Sequence, residues 1–381
     1  MKYERGIIQI LTAVIGLSCG CTGEKLLDGA VPGGPESPVE VRFFTSAIPT
    51  RAEGTGMAAG TDKLVTGANV CVYAYRIKKG ETNTTATGNY TVQTAGDGAT
   101  QSLSPATPES GTASEMILPS GTFNFYAVST NSSGANVPNF PTDQASDGVP
   151  TDENTTVSVQ NGIDYLYAAV PEKTITFGTQ KAEIPLTFKH AGAQVQLTII
   201  FGDGAHAVDH STAQNFNLAR VTVQSTTEEN AKMHLFNGEI RFGNLLGGSP
   251  GSTDTTYFKQ MSVVTSGTVA DGSNTPANQV ATYHLLPLAK ATNGSQKMKI
   301  KIEIGNLVVG GSGAQARTHT YTGELDASAG WLAGTSNRYT LTLSGTEIKF
   351  SSVTVVPWET GTGGEVGGIT DTTPAGDSII P

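Results

Sequence analysis

Cysteine is scarce: Cys19, Cys21 and Cys71 are the only three in 381 residues. Three cysteines build neither a disulfide framework nor a four-cysteine metal knuckle, so the Cys19 and Cys21 pair needs a local explanation. Charge is sparse as well, at 15% of residues, and acidic residues outnumber basic ones by 33 to 23. No cluster of Lys or Arg occurs, so nucleic acid is not an expected partner. Long helix-favouring stretches are missing, and no apolar run is long enough for a comfortable transmembrane helix. Catalytic signatures are missing too. "VGGSGAQ" lacks the final glycine of a G-x-S-x-G nucleophile elbow, and there is no H-E-x-x-H, no P-loop and no G-x-G-x-x-G opening a helix. No enzymatic activity and no cofactor are expected. The six histidines are scattered at 190, 206, 210, 234, 284 and 319. His206 and His210, with Asp203 and Asp209, come nearest to a ligand cluster, but their i, i+4 spacing joins them only on a helix, and this stretch reads as a glycine-rich loop. No metal site is expected, and His190, just before an alternating run, reads as a structural histidine.

What is present is glycine (46 residues), threonine, serine and period-two alternation. In "AQVQLTI", Ala193, Val195, Leu197 and Ile199 share one face, and "MKIKIEI" at Met298–Ile304 repeats the pattern with Lys and Glu outside. These are half-buried strands of antiparallel sheets. Similar runs recur at "VEVRFFT", "NVCVYAYR", "TFNFYAVS", "ARVTVQS", "RTHTYTGEL", "RYTLTLSG" and "FSSVTVV", separated by Gly, Asn, Asp and Pro turn clusters. The fold class is all-β, built of β-sandwiches. Cys71, inside "NVCVYAYR", reads as a small core residue. Tyr73 and Tyr75, Phe123 and Phe125, and Tyr165 and Tyr167 form i, i+2 pairs that are expected to fill the core. The stretches Thr94–Ser114 and Asn131–Thr156, rich in Gly, Pro and Ser, read as surface loops. A boundary between two sandwiches is expected near Lys181–Pro185.

The amino terminus explains the paired cysteines. Lys2 and Arg5 precede the uncharged stretch Gly6–Gly20, which fits the apolar core of a secretion signal. It resembles a bacterial lipoprotein signal, in which the cysteine after the cut is acylated. Cys21, preceded by Gly20, is preferred, with Cys19 the alternative; an ordinary signal cut elsewhere stays open. Each buried acyl CH₂ adds ~0.8 kcal/mol, so two or three chains hold a protein on its membrane.

Four stretches together resemble the fimbrillin family of Bacteroidales pilus subunits. They are the lipoprotein signal; "VRFFTSAIPTRAEG"; "LTFKHAGAQVQLTI"; and "GWLAGTSNRYTLTLSGTEIKFSSVTVVPWET", with Trp331, Gly334, Tyr339 and the closing Val356, Pro357 and Trp358. The resemblance implies two transthyretin-like β-sandwich domains in tandem, made as an outer-membrane lipoprotein precursor and cut on the cell surface after an arginine by a trypsin-like protease. It implies a signal peptide at 1–20, a propeptide with the first strand at 21–51, sandwich domains at 52–183 and 184–358, and a tail at 359–381. Removing the first strand would open a groove that a strand of the next subunit fills, giving a head-to-tail polymer of fimbrial subunits. The partners implied are other subunits, the outer membrane through the precursor's lipid, and a host or bacterial surface ligand of unspecified kind.

Arg51, followed by Ala52, sits in a Gly- and Ala-rich stretch after the alternating "VEVRFF", where an accessible cut belongs. Arg42 and the lysines at 63, 78 and 79 are alternative sites. The strand Val39–Thr45 would be the removable one, and seven residues at ~3.3 Å each span roughly 23 Å, enough to complete a sheet edge. The tail could reach a neighbour, although its glycines and few large apolar residues suit a strand poorly. "DTT" at Asp254–Thr256 and Asp371–Thr373 and "DSI" at Asp377–Ile379 are similar to O-glycosylation acceptors of exported proteins in these bacteria. A monomeric surface lipoprotein binding carbohydrate or protein, or a tip or anchor subunit, is the alternative function.

Overall fold

The computed structural model describes residues 38–45, 64–78, 85–94, 100–107, 113–134, 136–142, 145–151, 154–179, 181–201, 217–226, 228–242, 258–265, 279–292, 294–307, 317–344, 347–357 and 370–371. Among them there are strands and turns and no helix. The first half supplies β1 (Pro38–Thr45), β2 (Ala68–Arg76), β3 (Thr85–Val92), β4 (Gln101–Pro105), β5 (Met116–Pro119) and β6 (Gly121–Ser133). It continues with β7 (Ala145–Ser146), β8 (Val149–Pro150), β9 (Thr156–Ser158), β10 (Leu166–Ile175), β11 (Lys181–Leu186) and β12 (Lys189–His190).

Most of these strands form one sheet in the order β11-β1-β4-β3-β2-β6-β10-β12, with β5 also paired to β1. Val41 and Phe43 of β1, Val70 and Val72 of β2, Phe125 of β6, and Ile184 and Leu186 of β11 all line one core. The sheet therefore curls so that its two ends face each other across that core. β11, whose residues include 183 and 184, is paired with β1 along its whole length and belongs to this first sheet. Ala191 and Gly192 separate β12 from β13.

The second half contains β13 (Ala193–Phe201), β14 (Asn217–Gln224), β15 (Ala231–His234), β16 (Ile240–Phe242), β17 (Phe258–Gln260) and β18 (Ser262–Thr265). After them come β19 (Gln279–Leu285), β20 (Lys297–Leu307), β21 (Arg317–Asp326), β22 (Thr335–Ser344), β23 (Glu347–Pro357) and β24 (Thr370–Asp371). Two five-stranded sheets, β18-β19-β13-β22-β23 and β17-β14-β20-β21-β24, form a sandwich. Its core takes Val195 and Leu197 from the first sheet and Val221, Ile300, Ile302 and Tyr321 from the second. Trp331 is completely buried there; its indole N–H donates to the Tyr339 hydroxyl at 2.9 Å, which donates in turn to the Asp326 carbonyl at 2.8 Å.

The two halves are joined. The hairpin β15–β16 lies against the outer face of the first sheet, where Met233 and Leu235 pack with Cys71, Tyr73, Tyr75, Tyr126 and Tyr167 in a third core. β15 also pairs with β9 of the first half. This explains why "NVCVYAYR" is apolar on both faces: one face lines the first core and the other meets the hairpin. Gly238 of the hairpin turn has φ of +73°, and a Cβ there would lie 2.3 Å from the Tyr167 ring, so only glycine allows this approach.

One expectation is corrected. Thr94–Ser114 is not loop throughout: it contains β4, which pairs with β3 and β1 and buries Gln101 and Leu103. A single large apolar side chain among five residues left no alternation to read, and the neighbouring strands supply the burial. Likewise Asn131–Thr156 holds β7, β8 and the buried Phe140.

Candidate functional site

β1 reads Pro-Val-Glu-Val-Arg-Phe-Phe-Thr and alternates exposed and buried positions. It runs parallel to β11, with Glu40 opposite Lys181 and Thr45 opposite Leu186, and antiparallel to β5 and then β4 on its other side. It is thus an inserted strand, not an edge. Val39, Val41 and Phe43 are 2%, 0% and 1% exposed. The Phe43 ring meets Tyr90 and Phe125 edge-on, with centroids 5.1 and 5.7 Å away. The Tyr90 hydroxyl accepts a hydrogen bond from the Met116 N–H of β5 at 3.2 Å, which fixes one wall of the slot.

The outer face of β1 is charged. Glu40 accepts from Lys181 Nζ at 3.0 Å and from Arg42 Nε at 3.0 Å, and Arg42 Nε lies 3.9 Å from Glu115. The hydrogen bond from Lys181, then that from Arg42, holds the Glu40 carboxyl below its usual range. Burial pushes Glu115 up, and the Arg42 charge opposes this in part. Fully burying an aliphatic or Phe side chain stabilises by about 1.5–3 kcal/mol, so Val39, Val41 and Phe43 together contribute roughly 5–9 kcal/mol. The net stability of a domain is about 5–15 kcal/mol. The burial of β1 is therefore comparable in size to the whole stability of a domain.

A second stretch repeats this strand. Thr346–Ser352 reads "TEIKFSS" and Val39–Thr45 reads "VEVRFFT". Acid stands at 40 and 347, a β-branched residue at 41 and 348, base at 42 and 349, phenylalanine at 43 and 350, and a hydroxyl residue at 45 and 352. Nearly all of this stretch belongs to β23, which pairs with β22 at the end of its sheet.

A buried polar cluster lies where the two halves meet. His190 Nδ1 and Asp164 Oδ1 are 2.6 Å apart, Asn131 donates to Asp164 at 3.3 Å, and Gln194 Nε2 lies 3.3 Å from His284 Nε2. Burial lowers the His284 pKa. Burial alone would raise that of Asp164, but the hydrogen bond and charge of His190 bring it below its usual value. His190, read from sequence as a structural histidine, is buried and meets Asp164 through Nδ1, and His284 was not singled out there because its neighbours are distant in sequence.

Of the residues picked from sequence, Cys19, Cys21, Arg51, Ala52, His206, His210, Asp254–Thr256, Trp358 and the tail apart from Thr370 and Asp371 lie outside the described residues. In sequence Arg51 falls between β1 and β2, six residues past the end of the inserted strand. Arg42, by contrast, lies within β1, a poor protease site. Lys181 and Glu115, which flank the slot, were not found in sequence: a pairing between distant strands leaves no local signal. Cys71 is buried, as are Tyr73, Tyr75, Phe123, Phe125, Tyr165 and Tyr167. Thr370 and Asp371 pair with β21 of their own sandwich.

The described residues thus form an all-β protein in which one strand, β1, is inserted between others. The chain matches the model of the fimbrillin-like family over residues 50–358 and belongs to that family. No curated protein matches it. A solved structure from Bacteroides fragilis, of a protein proposed to act in cell adhesion, is similar in fold, with a TM-score of 0.50 at 15% identity over 86% of this chain and 99% of that one. A second such protein, from Bacteroides uniformis, has a TM-score of 0.45 at 15% identity over 86% and 99%. A fimbrial assembly protein from Parabacteroides distasonis has 0.42 at 11% identity over 88% and 98%.

Proposed function

We propose that the protein is a structural subunit of a cell-surface fimbria that supports adhesion and performs no catalysis, its two halves being transthyretin-like sandwiches. The precursor reaches the outer membrane on a lipid at Cys21, a trypsin-like protease cuts between Arg51 and Ala52, and β1 gives way to a strand of the next subunit. Because each subunit offers a strand at one end and a slot at the other, filling does not close on itself and yields a filament. The observation that carries this reading is the position of β1, inserted between β11 and β5/β4 and directly preceding the Arg51 linker.

The strand offered is the β23 region, which would have to leave its pairing with β22 to be donated and whose sequence repeats the apolar and charged order of β1. It suits the slot better than the glycine-interrupted tail. Incubation with a trypsin-like protease and amino-terminal sequencing tests the cut: Ala52 is the expected new end, and another end overturns it. Electron microscopy of cells carrying Arg51→Ala tests the consequence, with filaments lost or shortened if the reading holds and unchanged if it does not.

A further inference from the structure

Once β1 has gone, the slot is bordered by Lys181 on one side and Glu115 on the other, each left without the partner that β1 supplied. Lys181 stands opposite position 40 in register with β11. Glu115 immediately precedes β5 and keeps one carboxylate oxygen buried with no hydrogen-bond partner among the described residues. The apolar pockets for Val39, Val41 and Phe43 accept many alternating strands, because branched aliphatic and aromatic residues are common in any β protein. The rim is more selective. It asks for an acid opposite Lys181 and, two residues on, a base beside Glu115.

We propose that Lys181 and Glu115 are the specificity-determining residues of the slot. They select, by charge and direction, an incoming strand of a second copy with the order acid, apolar, base, aromatic. Glu347, Ile348, Lys349 and Phe350 have that order. A strand entering in the opposite direction, or with the charges exchanged, sets like charges against both rims, which disfavours the wrong partner even where the right pair gains little. Direction matters because Glu347 meets Lys181 only if the donor runs parallel to β11, as β1 does. Both pairs stay partly in water, so the selection acts mainly on encounter and fades with salt.

This rests on the strand-exchange reading, and the test separates the two. Full-length protein is processed with a trypsin-like protease, the protease is inactivated, the β1 fragment is removed in mild denaturant and the body returned to buffer, and two labelled peptides are titrated into it: Thr-Glu-Ile-Lys-Phe-Ser-Ser and its charge-exchanged form Thr-Lys-Ile-Glu-Phe-Ser-Ser. Fluorescence anisotropy reports binding and light scattering reports polymerisation. The first peptide is expected to bind about fivefold more tightly at low salt. The difference is expected to disappear near about 1 M salt, where screening acts within ~3 Å. In the Lys181→Glu, Glu115→Lys double variant the preference is expected to invert. If the two peptides bind equally and both stop polymerisation, exchange stands and the selection by charge is overturned. If the cleaved protein binds neither peptide and never polymerises, exchange and selection both fall. Circular dichroism of the double variant, together with a salt-insensitive binding control at about 1 M, separates altered preference from failure to fold.

Discussion

At the scale of single residues, the chain uses buried polar side chains to fix geometry, and their charge states set its response to acid. Gln194 presents its amide N–H to His284 Nε2, an arrangement that needs an unprotonated imidazole nitrogen, while its Oε1 is held by the Ser336 hydroxyl at 2.8 Å. Burial keeps the His284 pKa below 6.5, although Asp164 pulls it upward and the His190 charge opposes that pull only in part. The unfolded chain therefore takes up more protons than the folded one as pH drops below about 6.5, and stability falls in that direction. Asp164 has the same sign lower down. Its folded pKa lies below 3.8, so its contribution is complete above that value and is lost as pH falls through the folded one. Denaturant unfolding followed from pH 7.5 to 4 is expected to show a decline beginning near 6.5, and His284→Gln is expected to flatten that first limb. An unchanged profile in the variant would assign the decline to other groups. His190 was legible in sequence because it directly precedes an alternating strand. His284 was not, since its environment is assembled from residues 164, 190 and 194.

Among elements, β1 was the most readable: Val39, Val41 and Phe43 alternate with Glu40 and Arg42, and the strand forms where that alternation lies. Its role as an inserted strand was not readable. β11 lies over a hundred residues away, and β4, one of its neighbours, has one large apolar residue in a stretch whose composition is that of a loop. The depth of insertion has a kinetic consequence. Cutting the Arg51 linker removes only a covalent connection, while Val39, Val41 and Phe43 remain buried, so the freed fragment is expected to stay bound until another strand displaces it. Size-exclusion chromatography after cleavage is expected to show co-elution of fragment and body, and Phe43→Ala, a loss of about 3–5 kcal/mol, is expected to release the fragment. Immediate dissociation from the unsubstituted protein would mean that the slot holds β1 far less tightly than its burial implies.

At the scale of the molecule, the two halves share more than a linker. β9 pairs with β15, the third core draws on both halves, and Asn161 accepts from Leu286 N–H at 2.8 Å while donating to the Thr226 carbonyl at 2.9 Å. If a neighbour's strand occupies the first-half slot as proposed, such a joint would carry its tension to the second half. The joint was invisible in sequence because both faces of β2 are apolar, and nothing local shows that a hairpin from 231–242 covers one of them. In the proposed exchange, a neighbour's β23 region replaces β1 in the register of β1. In that register Phe44 stands opposite Pro185, and Ser351 is the donor residue equivalent to Phe44. A Pro185→Cys, Ser351→Cys protein, processed by protease and then mildly oxidised, is predicted to give a ladder of covalent multimers on a denaturing gel. The ladder should vanish with reductant, in either single variant and without cleavage. Filaments that dissociate entirely to monomers on that gel would show that β23 does not take the place of β1 in this register.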